Sequence, residues 1–111
     1  MTTEHDIPTP MPEFDEEGFL VDSEKWSQNI AEILAQKDVP KGLTEEHWKV
    51  VAFMREYYHA FNTVPPVRML CRRTNLSLRH IKELFPSGLT KGACKIAGIP
   101  RVTIKPNFLY P

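Results

Sequence analysis

Two cysteines, Cys71 and Cys94, are all that the chain has, too few for a disulfide framework, and in a reducing compartment they stay free thiols. No apolar run approaches the roughly 18 residues of a membrane span. The first residues, MTTEHDIPTPMPEFDEE, lack the basic start and apolar middle of a signal peptide. The expected address is cytoplasmic, with no membrane partner. Four histidines (His5, His47, His59 and His80) make no zinc-like spacing with either cysteine, so neither a metal nor another cofactor is expected. A catalytic triad, a phosphate-binding loop and paired carboxylates with a plausible pocket are all missing, which argues against an independent enzyme.

Net charge is missing too, but the balance hides an asymmetry. Residues 1 to 40 hold ten acids against Lys25 and Lys37. Residues 68 to 105 hold nine bases against Glu83 alone. Such a dipolar chain either screens itself on folding or presents a basic face to an anionic partner.

What is present reads as one small, mainly helical domain: 111 residues, 41% hydrophobic and 25% charged, are ordinary for a globular unit of this size. Residues 1 to 12, with Pro8, Pro10 and Pro12, read as a disordered arm. EFDEEGFLVD, 13 to 22, sets aromatics about a Glu-Gly turn and predicts a β-hairpin. Residues 23 to 37 align Trp26, Ile30, Ile33 and Leu34 on a helical face, with Ser23 as N-cap. The next helix starts at Thr44, its N-cap, with Glu45 and Glu46 at its positive end and Leu43 placed to staple onto Trp48. Its predicted inner face runs Trp48, Val51, Ala52, Arg55 and Tyr58, with the Arg55 stem along the seam. Asn62 and Pro65-Pro66 end it.

Two short helices follow, 66 to 74 and 77 to 85, the second capped by Ser77. They fit a helix-turn-helix, with Cys71 at the small inner position, Asn75 at the turn, and Leu70, Leu76, Ile81 and Leu84 as anchors. Used on DNA, such a unit would offer Arg79, His80 and Lys82 from its second helix, with Arg72 and Arg73 for phosphates. Helix pairs of this shape also occur in proteins that never touch nucleic acid. A last helix is expected from Thr90, as N-cap, to about Ala97, with Gly98 as its C′ residue and Pro100 behind it. It carries Cys94. Neighbouring cations lower a thiol's pKa, and Lys95 is adjacent while Lys91 lies three residues back. The competing reading is a small buried residue beside Ala93, Ile96 and Ala97, the commoner fate of a free cysteine.

These blocks carry a resemblance. TEEHW (44–48), REYY (55–58), LFP (84–86) and ACKIAGIP (93–100), in this order, closely resemble the DsrC/TusE family of sulfur-relay proteins, from about Glu13 to Arg101. The resemblance implies a helical domain over 13–101 with an N-terminal β-hairpin, a helix-turn-helix-like unit and a C-terminal arm. It also implies passage of sulfur as a persulfide or trisulfide, with relay proteins or dissimilatory sulfite reductase subunits as partners. In one branch the arm holds two cysteines, eleven residues apart; the other keeps the near-terminal one. Cys94 matches the first. Eleven further on stands Lys105, within the ending RVTIKPNFLYP, so a disulfide inside the arm is excluded.

Two functional readings follow. In one, Cys94 accepts or senses sulfane sulfur as a persulfide or redox thiol, with Lys91 and Lys95 stabilising the anion. This would be a sulfurtransferase-type carrier and no independent catalyst. In the other, a non-carrying regulatory paralogue binds DNA through residues 66 to 85 or competes for relay partners. Residues 102–111 are expected to be extended or mobile.

Overall fold

The computed structural model describes residues 11–104. Of the 1–12 arm only 11 and 12 are described, and of the 102–111 tail only 102 to 104, where Val102 and Thr103 belong to a 3-10 turn rather than an extended run. Among the described residues are four α-helices: α1 (Gln28–Leu34), α2 (Glu45–Phe61), α3 (Val67–Thr74) and α4 (Leu78–Leu84). They are followed by a π-helix, Leu89–Cys94, and a 3-10 turn, Arg101–Thr103. α2 is the axis, and α3, α4 and the π-helix each pack on it. No helix among the described residues is long and apolar enough to cross a membrane.

The predicted β-hairpin over 13–22 is not formed, and no strand exists among the described residues. Phe14 and Leu20 make a single antiparallel bridge. The reason is Asp15, whose Oδ1 accepts from the backbone N–H of Glu17 at 2.8 Å and of Phe19 at 2.9 Å. That Asx-type turn takes the Phe19 amide that a hairpin ladder would give to the Asp15 carbonyl, so only two backbone bonds cross between the arms of the segment, Asp15 N–H to Phe19 O at 2.8 Å and Val21 N–H to Glu13 O at 3.1 Å. It leaves Phe19 and Leu20 fully buried all the same.

A second correction lies just beyond. Ser23 does not cap a helix of 23–37. Asp22 caps a 3-10 turn, Ser23–Lys25, by accepting from Glu24 N–H at 3.0 Å. Trp26 is then extended, and Ser27 caps α1 through Ile30 N–H at 3.2 Å. The break frees Ser23 and Trp26 to point inward.

α2 ends as expected at Asn62, and α3 at Asn75; both have left-handed φ, near +60°, which asparagine tolerates. Ser77 caps α4 through His80 N–H at 3.0 Å. The inner face of α2 is rotated from the predicted one. Val50, Val51, Phe53 and Met54 are buried, whereas Ala52 is exposed. The core gathers these with Ile30, Leu70, Ile81, Phe85, Ile96 and Ile99.

Candidate functional site

The site is a helix end folded back on α2. Its near side is set by His47, a buried residue not anticipated from the sequence. His47 occupies the third helical position of α2, where a capping box ordinarily holds Glu or Gln. Its Nδ1 accepts from the Thr44 backbone N–H at 3.0 Å and lies 2.8 Å from the Thr44 hydroxyl. Nε2 lies 2.8 Å from the Leu84 carbonyl oxygen. A backbone N–H only donates and a carbonyl only accepts, so the ring is in its Nε2–H tautomer. One imidazole thus caps α2 and holds the end of α4. Beyond that end, Ser87 donates from N–H and hydroxyl to Asp38 Oδ1, at 2.8 and 2.7 Å. The chain is thereby delivered onto α2 at the start of the π-helix.

Gly88 is the N-cap residue of the π-helix, with no side-chain cap, and Thr90 lies within the helix rather than before it. The wider winding turns Ala93 and Cys94 into the core, both with no exposed surface. The Cys94 thiol donates to the Met54 thioether, with Sγ and Sδ 3.9 Å apart. Burial pushes its pKa well above that of a free thiol. Lys91 is exposed. Lys95 places its ammonium over the Phe19 ring, 5.3 Å from the centroid. Neither lysine is bonded to Sγ among the described residues, and burial favours the protonated thiol.

After Cys94 one more helical turn ends in a Schellman motif. Ile99 N–H donates to the Cys94 carbonyl at 3.2 Å, and Gly98 N–H to that of Lys95 at 3.0 Å. Gly98, at φ +74°, is the expected left-handed residue. The last two carbonyls find partners far away in the chain. Trp26 Nε1–H donates to Ile96 O at 2.9 Å, and Arg55 Nη1–H to Ala97 O at 2.9 Å. Arg55 also donates to Ser23, from Nη1 to Oγ at 3.2 Å and from Nη2 to the carbonyl at 3.3 Å. Its guanidinium lies 4.2 Å from the Trp26 ring centroid. Burial lowers the Arg55 pKa, with Tyr58 opposing. Arg55 is half-buried, and what the structure records of it is the work of its guanidinium head. An arginine within an apolar helical face is the available signal, because a half-buried guanidinium requires acceptors.

The residues considered for DNA sit elsewhere, on α3 and α4. Arg72, Arg79 and Lys82 are exposed, and Arg73 stands over Phe53, 5.1 Å from the ring centroid. His80 is engaged within the molecule: Nε2 lies 2.7 Å from Glu46 Oε1, and Nδ1 3.5 Å from Glu83 Oε1. Glu46 and Glu83, beside α4, oppose a polyanion. Neither this geometry nor the relatives below lend DNA binding support. Cys71 is half-exposed and packs against the core edge. Among the described residues no three His, Cys, Asp or Glu side chains gather as a metal site.

Comparison with known proteins points one way. Residues 8–104 match the family model described as DsrC like protein. The chain is 37% identical over 91 residues to the dissimilatory-type sulfite reductase subunit gamma of Nitratidesulfovibrio vulgaris, covering 82% of this chain and 87% of that one. It is 42% identical over 94 residues to the sulfurtransferase TusE of Pectobacterium atrosepticum, covering 78% and 85%. Among solved structures, the oxidized gamma-subunit of the dissimilatory sulfite reductase (DsrC) from Archaeoglobus fulgidus superposes with a TM-score of 0.75 at 42% identity, over 86% of this chain and 92% of that chain.

Proposed function

The chain belongs to the DsrC/TusE family of sulfur-relay proteins, and from that premise we propose that it serves a cytoplasmic sulfur relay as a carrier protein whose accepting thiol is Cys94. The observation that supports this reading is the placement of Cys94 in KGACKIAGIPR, inside the span that matches the family. Relay proteins or sulfite reductase subunits are the partners this implies.

The chemistry needs the thiolate. Cys94 Sγ attacks the terminal sulfur of a donor persulfide; the new S–S bond forms as the donor's S–S bond breaks, and the donor leaves as a thiolate that takes up the Cys94 proton. Sulfane sulfur moves without net oxidation. Sγ is buried, which favours the protonated thiol, so acceptance requires the segment carrying Cys94 to lift from α2. Once it opens, Lys91 and Lys95 are the cations nearest in sequence to steady the persulfide anion. Delivery then goes directly to a partner, since the arm carries no second cysteine at the position eleven residues on.

The burial of Cys94 favours a second reading: a non-carrying member that occupies relay partners and regulates by competition. Intact-mass spectrometry after polysulfide treatment separates the two. It is run on wild type, Cys94→Ser and Cys71→Ser, because Cys71 is the more accessible thiol. Addition of sulfur that persists in Cys71→Ser and disappears in Cys94→Ser is the expected result. Addition at Cys71 alone, or none without denaturant, would overturn the carrier reading in favour of competition.

A further inference from the structure

A helix leaves its last four carbonyls without intrahelical partners, and leaving them bare inside a protein is costly. At the end of the Cys94 helix the four are shared out in pairs. The carbonyls of Cys94 and Lys95 are closed by the backbone itself, through Ile99 and Gly98. Those of Ile96 and Ala97 are closed, among the described residues, by Trp26 and Arg55. The first of these side chains precedes α1 and the second stands mid-way along α2, so both hold the helix end from outside. Arg55 adds a positive charge at a negative helix terminus. It also spans to Ser23 and stacks on Trp26, so the two donors form one unit.

We infer that Arg55 and Trp26 are positioning residues that clamp the end of the Cys94 helix and set how often its thiol is exposed. This deepens the regulation of the proposed carrier site and rests on that reading for its biological meaning. Its geometry stands apart from it. Opening the helix end requires two buried carbonyls to leave their partners together, and it carries Cys94 away from Met54. A partner that offers hydrogen-bond donors to Ile96 O and Ala97 O, or acceptors to Arg55, competes for the clamp and frees the thiol. The relay thiol is then unavailable to stray oxidants until such a partner docks.

The test is the rate at which iodoacetamide alkylates Cys94 in a Cys71→Ser background, followed against urea. Trp26→Phe removes one N–H and keeps a ring beneath Arg55; Arg55→Met keeps the stem and removes every donor. Each variant is expected to alkylate about tenfold faster than its parent without denaturant, the factor carried by about 1.4 kcal/mol. The rate is expected to stay flat at low urea, since local opening exposes little surface. A residue of merely structural importance would raise the rate only through global unfolding, with the full urea slope. Unchanged rates in both variants, or that full slope, would overturn the clamp. A Cys94 that opens locally yet takes no sulfur from polysulfide would instead remove the carrier role and leave the clamp standing.

Discussion

The π-helix segment and the α3–α4 pair contain the same ingredients, a cysteine flanked by cations, and use them in opposite ways. In the first, Cys94 has no exposed surface and the neighbouring Lys95 reaches away to Phe19. In the second, Cys71 stays half-exposed, Arg72 points to solvent, and Arg73 covers Phe53. Burial raises the pKa of both thiols, strongly for Cys94. Adjacent residues on a helix do not face each other. A lysine next to a cysteine in sequence therefore says little about the field at its sulfur. The two regions differ instead in how their helix ends are closed: by asparagine in αL at α3, and by Gly98 with two remote side chains after Cys94.

The sharpest way to break that comparison is at Gly98. A Cβ there would stand 2.3 Å from Trp26 Cδ1, at a φ of +74°. Gly98→Ala combines left-handed strain of about 1–2 kcal/mol with overpacking of about 1–3 kcal/mol. We expect a loss of roughly 3 kcal/mol in urea unfolding. Gly42→Ala is the control: φ is +101°, but nothing lies within 4 Å of the added carbon. It should lose only the strain, about 1–2 kcal/mol. Equal losses in the two variants would mean that the indole is not packed against the Cys94 helix end.

His47 links the two regions, since it caps α2 and holds the Leu84 carbonyl just before the chain turns toward the π-helix. His47→Ala removes a cap worth about 1 kcal/mol and leaves a carbonyl without its donor, at about 1–3 kcal/mol. A loss of roughly 2–3 kcal/mol is expected in the same assay. His59→Ala, on an exposed position of the same helix, should stay within about 0.5 kcal/mol. Matching values would assign no structural role to the buried imidazole.

Most of the frame was legible in the sequence because it depends on local chemistry. Asn62, Asn75 and Gly98 mark helix ends by their tolerance of left-handed φ, and Thr44 and Ser77 mark starts as N-cap residues; each marks the end it was read for. The misreadings share a different cause. Asp15 takes the Phe19 amide from the expected hairpin, Asp22 and Ser27 divide the helix expected from Ser23, and π winding starts the last helix at Leu89. In the first two, a side-chain oxygen competes with the backbone ladder over a few residues, and pattern counting does not resolve that contest. The site was half legible. The position of Cys94 was readable from its motif. The roles of Trp26, His47 and Arg55 depend on carbonyls 37 to 70 residues away in the chain, and no local period records such contacts.

The smallest expected effect is electrostatic and belongs to α4. The hydrogen bond to Glu46 raises the His80 pKa above the ordinary 6.5; desolvation opposes it, while the charges of Glu46 and Glu83 and a second hydrogen bond to Glu83 add to it. The hydrogen bond to His80 is likewise the main cause that lowers the Glu46 pKa below 4.5. A raised histidine contributes stability that is fully present below its unfolded value and is lost as pH rises through the folded one. A lowered carboxylate contributes stability that is present above its unfolded value and is lost as pH falls through the folded one. The pair is thus most stabilising between about pH 4.5 and about pH 6.5. Wild type should lose thermal stability from about pH 6 to about pH 8 more steeply than Glu46→Gln. The difference should shrink in about 0.5 M salt, because the pair is solvent-accessible and screened. Clamp-dependent alkylation of Cys94 should not follow this pH step once the thiolate fraction is allowed for, since His80 has no bond to Trp26 or Arg55 among the described contacts. If it did follow, α4 and the Cys94 helix would open as one unit, and the separation drawn between the two regions would fail.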